Sequence, residues 1–228
     1  MEISVGCFFN IENDLYKLEK IANSGINCHL SFFHYEDFVN LRRYVPRNLK
    51  ITSLHAFNSD RNDSINDYIL KIDELKSYFK TMKVDQNTEF MVTVHPNHFG
   101  EEFSNYNYLY PENFKYKKKK KLLTPIHILK TCGRMTLDTS HLEEEWFNSE
   151  QLFRHLLMNT DILHFSQREN NSTKSEHKPI NYPGVVPTGF ILKTLRQFNV
   201  KEIVLEYMPE FIDRAISDYK YLNTVFKI

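Results

Sequence analysis

Residues 2–33 read EISVGCFFNIENDLYKLEKIANSGINCHLSFF, and they set the pattern for the chain. Glu2 to Phe9 is a β-rich run with no helical period. From Asp14 to Ser24 the apolar residues fall at Leu15, Leu18, Ile21 and Ala22, the spacing of one face of a helix, and Gly25 is a stop signal. Ile26 to Phe33 returns to strand character. A strand, a helix and a second strand in so short a span predict a parallel βαβ unit, because parallel neighbours need a crossover.

The same alternation continues. A helix over Tyr35 to Tyr44 must stop before Pro46. Strands are expected at Ile51–Leu54, Phe90–Val94, Tyr108–Tyr110, Arg134–Leu137, Asp161–Leu163 and Glu202–Leu205. Helices are expected over Ser64–Lys83, within Lys115–Cys132 after the Thr124-Pro125 start, over Ser149–Asn159, Pro187–Asn199 and Ile212–Phe226. Eight strand-like runs alternating with helices predict an α/β fold, a compact (β/α)8 TIM barrel forming one domain over residues 1–228. Between the fourth and fifth strands no helical pattern is present, so the fourth crossover helix is expected to be shortened or missing.

Composition narrows the class. Hydrophobic residues make up 41% and charged ones 25%, enough apolar surface for a real core. The 29 basic residues balance 29 acidic ones, which argues against a surface built throughout to grip nucleic acid. Cys7, Cys28 and Cys132 are odd in number and scattered, as expected of reduced thiols in a reducing compartment. The start of the chain has no signal-peptide pattern and no run reaches the roughly 18 apolar residues of a membrane span, so a cytoplasmic protein without membrane contact is expected.

The residues that close the strands carry the chemistry. The third strand leads to His55, the fourth to His95, the fifth to Glu112, the sixth to Asp138, the seventh to His164 and the eighth to Glu206. In a parallel barrel these positions converge at the C-terminal mouth, where barrel active sites lie. Imidazole and carboxylate together are a ligand set for zinc, manganese or iron. Each taken singly has a plain reading as a hydrogen-bonded loop residue; six successive strand ends do not. His141, three residues beyond Asp138, and His177, in the loop after the seventh strand, join the set. His29, His34, His98, His127 and His155 close no strand and carry no expected role.

The segments Leu54-His55-Ala56, Val94-His95-Pro96, Pro111-Glu112-Asn113, Leu137-Asp138-Thr139-Ser140-His141, Leu163-His164-Phe165, Glu176-His177-Lys178 and Leu205-Glu206 resemble, in order, the xylose-isomerase-like barrels. That superfamily includes endonuclease IV and many sugar isomerases and epimerases. The resemblance implies one of two ligand patterns. The epimerase-like pattern holds one Mn2+ or Mg2+ with Glu112, Asp138, His164 and Glu206, and uses Glu112 and Glu206 as catalytic acid and base. The endonuclease IV-like pattern adds His55, His95, His141 and His177 and holds two or three Zn2+ ions. There His55 and His95 take one ion with Glu112 and Glu206 bridging, Asp138 and His164 take the second, and His141 with His177 take the third.

The chain departs from the endonuclease pattern at Ser175, where an Asp is usual and this chain offers only the adjacent Glu176, and at Gln167, where an Asp is again usual. The abbreviated fourth crossover also shortens what would hold DNA. These departures count against a third ion and against nucleic acid as the substrate. The four extra histidines favour metal-assisted hydrolysis of a phosphoester. The alternative is isomerisation or epimerisation of a sugar or sugar phosphate, and a third class is a binding module on a decayed barrel. The substrate is in either enzymatic case a small molecule or phosphoester. The Lys117–Lys121 run is a candidate attractor for phosphate, and Tyr106, Tyr108, Tyr110 and Phe114 are candidate pocket walls.

Overall fold

A computed structural model describes residues 1–9, 11–59, 63–95, 100–113, 125–142, 144–169 and 177–226. The chain forms eight parallel strands, β1 (Glu2–Phe9), β2 (Asn27–Phe32), β3 (Lys50–His55), β4 (Val92–Val94), β5 (Leu109–Pro111), β6 (Thr136–Asp138), β7 (Ile162–His164) and β8 (Glu202–Leu205). Between and after them run α1 (Ile11–Ser24), α2 (Tyr35–Leu41), α3 (Ile65–Phe79), α4 (Pro125–Cys132), α5 (Glu144–Asn148), α6 (Glu150–Met158), α7 (Thr188–Thr194) and α8 (Ile212–Phe226). The sheet order β5-β4-β3-β2-β1-β8-β7-β6 curls round until its two outer strands meet, giving the expected (β/α)8 TIM barrel. As anticipated, the fourth crossover carries no α-helix among its described residues, only a 3-10 helix at Gly100–Asn105.

Local chemistry sets the boundaries. Ser64 caps α3 by accepting from the Asp67 amide, and the Asp67 carboxylate accepts from the Ser64 amide in return. Gly25 and Gly133 close α1 and α4 at φ +67, a backbone that costs glycine nothing and other residues about 1 kcal/mol. Strand alternation then divides the side chains between two environments. Val5, Cys28, Leu30, Leu54, Leu137, Leu163 and Ile203 are buried between the sheet and the helices, with Leu18 and Ile21 of α1 and Ile72 and Leu75 of α3 against them. Burying a Leu or Ile side chain in this layer contributes about 1.5–3 kcal/mol.

The barrel interior is unusual. Tyr110, Ile162 and Val204 form a small apolar plug, but around it lie buried Ser4, His29, Ser53, Thr93, Thr136 and Glu202, where bulky aliphatic residues ordinarily fill such a barrel.

The seam between β5 and β6 is closed largely by side chains. One isolated bridge, Glu112 to Thr136, links the strands. At the lower end Arg134 donates from Nε to the Leu109 carbonyl at 2.8 Å, and its guanidinium also reaches the carbonyls of Phe103 and Tyr106. In the middle Thr136 Oγ1 donates to the Tyr110 carbonyl at 3.3 Å. At the top the Asn113 amide substitutes for a strand. Its Nδ2 donates to the Asp138 carbonyl at 2.9 Å and its Oδ1 accepts from the Asp138 amide at 2.6 Å. Among the described residues no helix is long and apolar enough to cross a membrane.

Candidate metal centre

The strand ends bring the eight singled-out residues together. Glu112, Asp138, His164 and Glu206 form a central group, with one ligand atom of each lying within 4.8 Å of all the others. All four residues are buried. His164 Nδ1 lies 2.7 Å from Glu112 Oε1 and 2.9 Å from Glu206 Oε2. His55, His95 and Glu112 form a second group, and Asp138, His141 and His177 a third. Glu112 and Asp138 are therefore the shared carboxylates. Glu206 stands with His164 and, at 3.6 Å, with His177, not with the His55–His95 pair assigned to it in the multinuclear pattern.

Outer contacts aim these side chains. His55 Nδ1 donates to the Ala56 carbonyl at 3.0 Å, leaving Nε2 to face Glu112 Oε2 at 3.2 Å. His95 Nδ1 meets Asn58 Oδ1 at 2.8 Å, which turns Nε2 to the same carboxylate oxygen at 3.1 Å. Asp138 Oδ1 accepts from the amide and hydroxyl of Ser140 at 2.7 and 2.8 Å, and Oδ2 is left towards His141 at 3.1 Å. His177 sits at φ 39, the one described non-glycine residue with positive φ. Partners of this kind fix which ring nitrogen is bare and raise ligand affinity.

Electrostatics point to a missing positive charge. Burial disfavours the charged form of His164, but Glu206 and Glu112 outweigh it and hold the imidazole well above its usual range. Burial likewise opposes ionisation of Glu112 and Glu206, yet His164 and neighbouring hydrogen bonds pull Glu112 well down and Glu206 to about 2. For His55, burial is overcome by Glu112 and the pKa rises; for His95 burial prevails and it falls. Three carboxylates converge where one imidazolium supplies the compensating charge.

Glu112 Oε1, Asp138 Oδ2, His164 Nδ1 and Glu206 Oε2 are buried and make no hydrogen bond of good geometry among the described residues; what faces them at short range is one another and the neighbouring His141. They are one atom from each residue of the central group, all converging, and the donor set suits a hard or borderline divalent ion. The residues fit the ion.

The remaining sequence candidates fall elsewhere. His34 starts α2, its amide donating to Asp37 at 2.9 Å, and His127 and His155 lie on α4 and α6, away from the mouth. Tyr110 belongs to the plug inside the barrel, and Tyr108 packs under Lys76 and bonds Asp73. His98, Phe114, Ser175, Glu176 and the Lys117–Lys121 run lie outside the described residues. Sequence reasoning passed over Asn58, Asn113 and His29. For His29 a signal existed: in NCHLSF of β2 the polar residues alternate with Cys28, Leu30 and Phe32, which turns His29 into the barrel.

No family model and no curated protein matches the sequence. Among solved structures the chain is similar to a D-tagatose 3-epimerase-like protein, with a TM-score of 0.61 at 16% identity over 99% of this chain and 98% of that one. The likeness is one of fold, spanning the whole barrel.

Proposed function

We propose that the chain is a divalent-metal-dependent isomerase or epimerase acting on a small sugar or sugar phosphate, with its ion held by Glu112, Asp138, His164 and Glu206. The observation that carries this is the convergence on one point of four buried ligand atoms, none with a hydrogen bond of good geometry among the described residues. The fold shared with an epimerase-like protein supports it. An ion there would hold neighbouring oxygens of a hydroxy-carbonyl substrate and polarise the carbonyl. Glu112 and Glu206 each carry a second oxygen beyond the one aimed at the centre. Both are ionised at neutral pH, as a base requires. In an isomerisation the carboxylate that takes the proton from one carbon becomes the acid that returns it to the neighbouring carbon. An epimerisation needs the two residues in opposite states, one as carboxylate to take the proton and the other as carboxylic acid to deliver one from the opposite face. Asp138, pinned by Ser140 and Asn113, serves as a fixed ligand.

The test is elemental analysis followed by incubation of the Mn2+-loaded protein in D2O with a panel of ketoses and ketose phosphates. One ion per chain is expected, with deuterium entering the carbon beside the carbonyl of at least one member. Glu112→Gln and Glu206→Gln should each lose about 10²- to 10⁴-fold in that exchange. Absence of label from every member would count against the reading.

Phosphoester hydrolysis with two or three zinc ions is the second reading, and a specific observation favours it. Glu112 turns Oε1 to His164 and Oε2 to Nε2 of both His55 and His95, so its two oxygens serve two separate groups of candidate ligands. Two or more zinc ions per chain, with cleavage of bis(p-nitrophenyl) phosphate and no deuterium exchange, would select it.

A further inference from the structure

Beyond β7 the chain passes Gln167 and later returns to it. Gln167 is buried, and its backbone pairs both ways with Lys178 in an antiparallel bridge, at 2.8 and 2.9 Å. Its side chain reaches the far end of the same returning segment. Oε1 accepts from the Val186 amide at 2.7 Å and from the Arg168 amide at 3.1 Å, and Nε2 donates to the Val186 carbonyl at 2.9 Å. Beside it the Val185 amide donates to the Arg168 carbonyl at 3.0 Å. Residues 177–186 therefore form a strap whose two ends both close on Gln167.

Gly184 shows how tightly the strap is seated. A Cβ there would lie 2.1 Å from the Arg168 carbonyl oxygen and 2.6 Å from Gln167 Oε1, so a side chain at this position lifts the strap. Its other edge is tied to the exit of β8. The Met208 amide donates to the His177 carbonyl at 2.9 Å, and the Ile180 amide donates to Tyr207 Oη at 3.1 Å. The Tyr207 hydroxyl spends its own proton on the buried Asp218 at 3.0 Å.

The strap carries His177. Its carbonyl is held by Met208 and the next amide by Gln167, one tie on each side of a backbone at φ 39. Such a conformation persists where the surroundings over-determine it. Held in this way, ring Nδ1 lies 3.3 Å from Ser166 Oγ, 3.6 Å from Glu206 Oε2 and 3.9 Å from Asp138 Oδ2. The clamp needs an amide, which accepts at one atom and donates at the other. A carboxylate at 167 would only accept, and would set an oxygen against the Val186 carbonyl.

We infer that Gln167 is a positioning residue acting through His177: its side-chain amide fastens the strap that holds this imidazole against Asp138 and Glu206 at the edge of the metal centre. His177 is not among the four central ligands, so the role goes beyond that reading and shares with it only the premise that an ion binds at this mouth. Gln167 touches neither ion nor substrate.

Two measurements test it. The first is amide hydrogen exchange in the metal-free protein, parent against Gln167→Met, which fills similar space without either bond. The Lys178 and Met208 amides should exchange about 10- to 100-fold faster in the variant. The Phe165 amide, bonded to the Val204 carbonyl, should keep its parental rate. Unchanged rates at Lys178 and Met208 overturn the inference, whatever the protein binds. The second is Zn2+ affinity, read by competition with a chromogenic chelator in a double-mutant cycle. Gln167→Met should lose about 10- to 100-fold and His177→Ala at least as much. The double variant should bind no more weakly than His177→Ala alone.

General loosening of the barrel predicts a further loss in the His177→Ala background. That result, or an affinity that His177→Ala leaves unchanged, sinks the inference and leaves the four central ligands as they stand. If Gln167→Met does not fold, Gly184→Ala, at an exposed position of the strap, replaces it in both measurements and should behave alike. A parent that takes up neither Zn2+ nor Mn2+ ends the enzyme reading, and the exchange rates alone then decide whether Gln167 holds His177.

Discussion

Replacing Asn113 by Ala tests whether a side chain can stand in for a strand. Asn113 is buried, and its amide makes two hydrogen bonds to the backbone of Asp138, at 2.9 and 2.6 Å. Alanine removes both and leaves a buried N–H and a buried C=O without partners. At about 1–3 kcal/mol for each orphaned group, the loss is about 2–6 kcal/mol. That is a large share of the roughly 5–15 kcal/mol that holds a typical domain together. With a urea slope of about 2–3 kcal/mol/M for a chain of this size, the midpoint should drop by about 0.7–3 M. Metal affinity should fall in parallel, because Asp138 loses the contact that fixes its main chain. Asn113→Asp keeps an acceptor for the Asp138 amide but turns a carboxylate oxygen to the Asp138 carbonyl, so it should rescue little. An Asn113→Ala protein with an unmoved midpoint and undiminished Mn2+ affinity would refute the reasoning and mean that the seam is held by Arg134 and Thr136 alone.

Three further outcomes are expected. In chelator, stability should peak near the unfolded histidine pKa of about 6.5. His164 and His55 have raised folded values, so what they contribute is fully present below that pH and is lost as pH climbs through their folded values. His95 and His29 are depressed and kept neutral in the fold, so they oppose stability as pH drops below about 6.5, and Glu206, at about 2, loses its contribution lower still. Melting curves from pH 4 to 9 should show both limbs, and saturating Mn2+ should flatten the alkaline one, since the ion takes the place of the His164 proton; an alkaline limb that Mn2+ leaves unchanged would contradict this. Gly6→Ala should cost about 1–3 kcal/mol in urea titration and weaken metal binding together, because its Cβ would lie 3.2 Å from Glu206 Cα and from Val204 Cγ1. Loss of stability with unchanged affinity would mean that β1 and β8 part without disturbing Glu206.

The parts of this molecule that sequence revealed are those written in local period. The βαβ start, the eight strands and a fourth crossover with no α-helix among its described residues follow from runs of residues that need no knowledge of their partners. So do the ligand candidates, since a residue closing a parallel strand lies at the mouth by geometry alone. Boundaries were less legible: α2 ends at Leu41 rather than Tyr44, and the expected helix to Asn199 tightens after Thr194 into a 3-10 turn at Leu195–Gln197. The short α5 at Glu144–Asn148, packed just before α6, had no distinct signal. Asn113, Asn58 and His29 stayed hidden for a different reason. Each acts on a group far away along the chain, and no pattern within a window reports which residue will face it across the barrel. The division of the ligands into groups was equally out of reach, because the choice of Asp138 over Glu206 as second shared carboxylate depends on a turn at Ser140.

His177 holds a backbone conformation that costs a non-glycine residue about 1 kcal/mol or more, so the fold would rest easier without it. Selection for heat resistance alone, run on the metal-free protein, should therefore trade that imidazole for glycine or asparagine early, and each survivor would be sturdier and poorer in ligands. Keeping a histidine at this place sets durability against chemistry.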